Sequence, residues 1–215
     1  MALGGALAWV AVRGGGLAWL ALWPAVSFVI AGGAYVAGAP APFGKRADGS
    51  MSLVSVAALF PYLALNWALW HVMRMRWKRA PSHQIAPGLW LGQRPLPGEL
   101  PAGTTLVVDL TCEFRAHPEV LAGTVYRCLP TLDGRAPDER ELASLVAEIV
   151  AHDGVAYVHC AAGHGRSAVV VACVLIARGL AADEGDALRR LRAIRPTVSL
   201  TEEQRERVRR FGAPR

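Results

Sequence analysis

Two long stretches of this 215-residue chain contain no charged side chain: Leu17 to Gly38 and Ser52 to Met73. Each is long enough to cross ~30 Å of hydrocarbon as an α-helix rising ~1.5 Å per residue. Lipid offers the backbone no hydrogen-bond partner, so a helix is the conformation open to a single spanning segment of this kind. The first stretch is apolar on every face, unlike the one-sided helix of a soluble core. A buried helical pair in a soluble protein is the alternative reading. Pro24 and Pro61 interrupt the stretches, which embedded helices tolerate when neighbouring groups satisfy the freed backbone. Trp19, Trp23, Trp67, Trp70 and Trp77 suit interfacial positions. The sequence predicts a two-helix transmembrane hairpin, with helices over about 17–38 and 52–73, within an anchor of residues 1–80.

Composition agrees: 53% of residues are hydrophobic, 19% are charged, and mean hydropathy is +0.29. Arg74, Arg76, Lys78 and Arg79 follow the second stretch, and the positive-inside bias then assigns everything downstream to the cytoplasm. The expectation is a multi-pass membrane protein whose short loop with Lys45, Arg46 and Asp48 faces outward. A competing reading takes Arg13 as the start of a signal peptide cleaved near Ala37 to Pro40, leaving one span, although the apolar run exceeds a usual signal core. Net charge +6 and a sequence pI of about 9.6 favour anionic partners. The arginines at 189, 190, 192, 195, 205, 207, 209 and 210 read as solvated helix faces, with no aromatic interleaving to suggest nucleic acid. Cys112, Cys128, Cys160 and Cys173 lack CxxC spacing, which gives neither a zinc site nor a disulfide framework.

Pro81 to Pro87 reads as a linker, and beyond it short apolar runs alternate with amphipathic stretches. Strands are predicted at Leu89 to Leu91, Leu106 to Asp109, Tyr126 to Leu129 and Val155 to His159. Helical spacing covers Asp138 to His152, Arg166 to about Arg178 and Asp183 to Arg195, with Gly179 and Pro196 as stops. Thr201 and Gln204 form a capping box for a last helix. Strands alternating with helices over residues 81–215 predict an α/β domain with a mostly parallel central sheet flanked by helices.

Chemistry concentrates in Val155 to Ser167, VAYVHCAAGHGRS. A strand running through a glycine-containing loop into a helix N-terminus makes an anion cradle, because backbone N–H groups converge where the helix dipole is positive. Ala161, Ala162, Gly163, His164, Gly165 and Arg166 would hold a phosphate there. Cysteine attacks as thiolate, and an ordinary thiol is mostly protonated at neutral pH, so the same cradle and Arg166 would have to favour the anion of Cys160. Attack on phosphorus by Cys160 forms a phosphocysteine and divides one difficult hydrolysis into two displacements. Arg166 can bridge two equatorial oxygens, which a lysine would do less well. Ser167 is placed to hydrogen-bond the sulfur as it departs, and His159 to order the loop. His164 would sit near the phosphate.

His159, Cys160, Gly163, Arg166 and Ser167 match the HCxxGxxR[S/T] signature of the cysteine-based protein tyrosine phosphatases, and the short domain resembles their dual-specificity branch. The resemblance covers most of Ile85 to Phe211. It implies a general acid on a separate loop, and Asp133, in PTLDGRAPDERE, stands where that acid is expected. Asp138 is the rival, read more simply as an acidic residue at a helix start. Asp109, in VVDLTCEF, resembles a position in lipid-directed relatives, with hydrogen bonding to a neighbouring loop as the structural alternative. Cys112 is read as a core thiol.

The resemblance implies a phosphatase acting on phosphotyrosine, with phosphoserine and phosphothreonine as further targets, and the predicted anchor would confine it to membrane-proximal substrates. A second reading is a phosphatase of a singly phosphorylated membrane lipid such as phosphatidylglycerophosphate. Ala161, Ala162 and His164 stand where phosphoinositide-directed relatives carry lysines, which disfavours a polyphosphorylated inositol headgroup. A catalytically silent phosphate-binding module is the reading from another class. No cofactor or metal is implied, because a phosphocysteine mechanism needs none and no His/Asp cluster has ligand spacing.

Overall fold

The computed structural model describes residues 16–76 and 80–213, together with 4–6, 9, 12 and 13. Trp77, Lys78 and Arg79, expected at an interface and in the basic cluster, lie outside the described residues. Two compact units emerge, one within residues 1–46, 50–78 and 112–115, the other within 47–49, 79–111 and 116–215.

In the helical unit a 3-10 turn, Gly16–Ala21, leads into α1, Leu22–Ala37, and α2 follows at Leu53–Arg76. Two spans, Ala18–Ala37 and Leu53–Arg76, are long and apolar enough to cross a membrane. Only 22% and 17% of their apolar windows are buried. Pro61 lies inside α2 and cannot donate to the carbonyl of Ala57, four residues earlier. Trp23 Nε1 donates to that carbonyl at 2.9 Å. The next amide, Tyr62 N–H, donates at 3.1 Å to Ser27 Oγ, itself fully buried. Both backbone groups disturbed by the proline are thus paired from α1.

Cys112–Arg115 also belong to this unit. Trp67 Nε1 donates to Glu113 O at 2.7 Å, Trp70 packs on Phe114 with centroids 5.4 Å apart, and Lys45 Nζ donates to Phe114 O. Trp67 and Trp70 therefore have partners within the protein, and Trp70 is buried. Ala47–Gly49 of the interhelical loop join the other unit, where Ala116 N–H donates to Gly49 O at 2.9 Å. A Cβ on Gly49 would fall 2.5 Å from Ala116 Cβ. Gly49 and Ala116 thus pack within one unit.

The α/β unit is built on a five-stranded sheet: β1 Ser82–Ala86, β2 Leu89–Gln93, β3 Thr104–Thr111, β4 Val125–Thr131 and β5 Val155–Cys160. The strand order is β1-β2-β5-β3-β4, with β1 antiparallel and the other pairings parallel. β1 occupies the segment expected to be a linker; Pro81 and Pro87 bracket five residues that pair with the free edge of β2. A one-turn helix, α3 at Pro118–Leu121, precedes β4. The remaining helices are α4 Glu139–Ala151, α5 Arg166–Ala177, α6 Glu184–Ile194 and α7 Glu202–Gly212.

Burial follows helical periodicity. Leu142, Leu145, Val146 and Ile149 form the inner stripe of α4, and Ala187, Leu188 and Leu191 that of α6. In α5 every residue from Arg166 to Leu175 is buried, because this helix lies against the sheet and packs on α4, α6 and α7 as well. The cap expected at Thr201 and Gln204 is present in both directions. Parallel pairing brings the carboxyl ends of β2, β5, β3 and β4 to one edge, with Gln93 opposite Cys160, Asp109 opposite His159 and Thr111 opposite Thr131. Open α/β sheets bind ligands at this edge.

Candidate active site

β5 ends at Cys160 and α5 begins at Arg166, so residues 161–165 form a loop across the carboxyl edge of the sheet. Gly163 turns the loop at φ +69°, and a Cβ there would lie 2.5 Å from Gly92 C and O. The loop therefore rests directly on the backbone of β2, which only glycine permits. Gly92 is equally confined, since a Cβ would meet Tyr157 Oη at 2.0 Å. Tyr157 is buried, and its hydroxyl donates to Gln93 O at 2.7 Å, tying β2 to β5 beneath the loop.

Cys160 is 2% exposed, and its sulfur accepts from Gly163 N–H at 3.3 Å and from Ser167 Oγ–H at 3.2 Å. Two donors thus point at the atom on which negative charge would develop. Gly165 caps α5 without a side-chain hydrogen bond, leaving the positive end of the helix dipole toward the loop. The Arg166 side chain is fully buried; Nη1 donates to Thr131 O at 2.9 Å and Leu110 O at 3.5 Å. Nη2 lies 3.3 Å from Asp133 Oδ1, whose side chain is 74% exposed. The ends of β3 and β4 therefore aim the guanidinium, and the loop after β4 brings a carboxylate to it.

Asp138 is elsewhere. It caps α4, accepting from the N–H groups of Arg140 at 2.9 Å and Glu141 at 3.2 Å. Those backbone hydrogen bonds hold its carboxyl below the usual carboxylate range. Asp109 is 2% exposed and serves local structure: it accepts from Thr111 N–H at 2.8 Å, Thr111 Oγ–H at 2.7 Å and Tyr126 Oη–H at 2.7 Å. Burial, and then the Asp109 carboxylate, push the Tyr126 phenol well above its ordinary range. His159 Nδ1 approaches Asp109 Oδ1 at 3.9 Å, so this network stands directly behind the residue preceding Cys160. Ala161, Ala162, Gly163, His164 and Gly165 follow as the loop itself. Cys112 is buried in the helical unit, its sulfur directed to Glu113 Oε2 at 3.5 Å.

Arg195 departs most from its expected place. It was grouped with solvated arginines, yet it is 1% exposed and bonded to the loop. The pattern of α6 could have revealed it: 195 follows Leu188 and Leu191 on the buried stripe, whereas 189, 190 and 192 do not. Thr131, Gly92 and Tyr157 support the site through backbone contacts or bulk that sequence spacing does not display.

The family model described as "PTP-SAK: Swiss Army Knife protein, DSP-PTPase phosphatase domain" matches residues 98–208, just over half of the chain. Among solved structures, PTPMT1 in complex with PI(5)P is similar at 24% identity, over 61% of this chain and 94% of that one, with a TM-score of 0.56. Tk-PTP in the active form is similar at 25% identity, over 61% and 96%, with a TM-score of 0.55. Human DUSP28 matches at 24% identity over 62% and 94%, with a TM-score of 0.52. The chain belongs to the cysteine-dependent phosphatases of the protein tyrosine phosphatase superfamily, in the dual-specificity-like branch to which the PTP-SAK domain is assigned.

Proposed function

We propose that this chain is a membrane-attached phosphoric monoester hydrolase working through a phosphocysteine at Cys160, with phosphoproteins as its substrates. One observation carries the reading: a sulfur with two donors aimed at it, at the head of a glycine-turned loop, beside an Arg166–Asp133 pair at 3.3 Å. In the first step the Cys160 thiolate attacks phosphorus, the bond from phosphorus to the ester oxygen breaks, and Asp133 gives that oxygen a proton. Loop amides from Ala161 to Gly165 and the Arg166 fork hold the equatorial oxygens as charge develops. To do so Arg166 exchanges its contact with Asp133 for the phosphate, which frees Asp133 to face the leaving group. In the second step water attacks phosphorus and passes a proton to Asp133. The sulfur–phosphorus bond breaks, and Ser167 hydrogen-bonds the departing thiolate. His159 orders the loop from behind.

Membrane attachment is supported by the two apolar helices and by exposed Val29, Val36, Leu65 and Leu69 on them. β1 starts six residues after α2 ends, a reach of about 20 Å at most. The positive-inside bias of Arg74 and Arg76 supports a cytoplasmic α/β unit. A singly phosphorylated lipid is the second reading, favoured by the two apolar helices and by the solved complex of PTPMT1 with PI(5)P.

Full-length protein reconstituted into phosphatidylcholine vesicles tests both parts. The expected result is flotation with the vesicles, and higher kcat/KM on a phosphotyrosine peptide than on phosphatidylglycerophosphate in the same membrane. Protein left behind in the aqueous fraction contradicts membrane attachment. Faster turnover of the lipid selects the second reading.

A further inference from the structure

An anion cradle requires its amide N–H groups to face inward, and the carbonyls of the same peptide units must then face outward and find donors. In this protein four successive outward carbonyls are tied down. Ala161 O accepts from Arg94 N–H at 3.3 Å, and His164 O from Ser199 N–H at 3.2 Å. The two between them belong to one side chain: Arg195 Nη2 donates to Ala162 O at 3.2 Å and Nε to Gly163 O at 2.9 Å. Its remaining arm, Nη1, reaches Ala80 O at 3.4 Å and His83 Nδ1 at 2.9 Å.

We infer that Arg195 is a positioning residue for phosphate binding, a buried second arginine that fixes the peptide planes of 162–164 from behind while Arg166 works from the front. Burying a guanidinium is costly unless its donors are used, and at 1% exposure Arg195 has fixed acceptors on three sides. The planar fork matters more than the charge. Two donors in one plane set the orientation of two adjacent peptides, whereas an ammonium acts from a single point. Its partners also explain the position of β1: His83 and the chain at Ala80 close the outer side of Arg195, so the edge strand supports the loop through Arg195. Burial, and then the adjacent guanidinium, hold the His83 imidazole below its usual range, in the neutral form that can accept from Nη1.

The inference rests on residues 160–166 being a phosphate loop, and the test separates the two claims. Full-length R195K keeps the stem and the charge and is expected to fold. Its predicted phenotype is a rise of about tenfold in both KM for an aryl phosphate and the inhibition constant of inorganic phosphate. Amide hydrogen exchange of 161–165 should accelerate selectively, and R195M should bind phosphate more weakly still. If R195M does not fold, R195K alone decides. Wild-type phosphate affinity in R195K, even with a lowered thermal midpoint, overturns the positioning role and leaves the phosphate-loop reading intact. Failure of the wild-type protein to bind phosphate at all overturns that reading, and this inference with it.

Discussion

Asp133 and Asp138 lie five positions apart and have different duties. Asp138 spends its carboxylate on two backbone amides of α4, whereas Asp133 is exposed on the loop after β4 and reaches Arg166. Asparagine also caps helices well, so Asp138→Asn should leave both fold and turnover close to wild type. Asp133→Asn removes the proton donor and should lower kcat by about 10²- to 10⁴-fold on substrates with a poor leaving group. Steady-state kinetics of the two variants settle the assignment, and the opposite ranking would refute it. At this scale the sequence was legible wherever a residue's chemistry is declared by its neighbours in the chain. Cys160, Gly163, Arg166 and Ser167 fall within one strand, loop and helix, and Gly163 and Ser167 both donate to the Cys160 sulfur. Arg195 was misread because its partners come from a loop more than thirty positions away and from β1. Asp109 was open between two roles, and its three hydrogen bonds to Thr111 and Tyr126 show it bracing the end of β3.

Periodicity made most of the elements readable. The predicted helices and strands of the α/β domain appear with ends shifted by a few residues, and the caps at Asp138, Asp183 and Thr201 are formed. β1 escaped because flanking prolines argue for a linker when no partner strand is in view; its stability comes from pairing with β2, a tertiary effect. In the helical unit, the sequence required some neighbour to satisfy the backbone around Pro61 without naming it. The structure supplies Trp23 and Ser27. Ser27→Ala leaves the Tyr62 amide unpaired and should destabilise the hairpin by about 1–3 kcal/mol. Thermal unfolding of the full chain in detergent micelles measures this. An unchanged midpoint would mean that the amide finds another partner and that the contact is dispensable.

For the whole molecule, the division of labour between an apolar helical unit and an α/β catalytic unit follows from where charge is absent and where strand and helix periods alternate. What the linear pattern could not convey is that short segments cross over. Cys112–Arg115 pack with the helices and Ala47–Gly49 with the α/β unit, so neither unit is one continuous stretch of sequence. Hydropathy windows assign long runs, and a segment as short as Ala47–Gly49 lies below their resolution. The proposed mechanism requires covalent chemistry at Cys160. Acid quenching of the full-length enzyme during turnover of an aryl phosphate, followed by peptide mass analysis, should find one phosphoryl group on the peptide containing Cys160. Cys160→Ser should yield neither that adduct nor turnover. Turnover that persists in Cys160→Ser, or a phosphoryl group on a different residue, would contradict the mechanism.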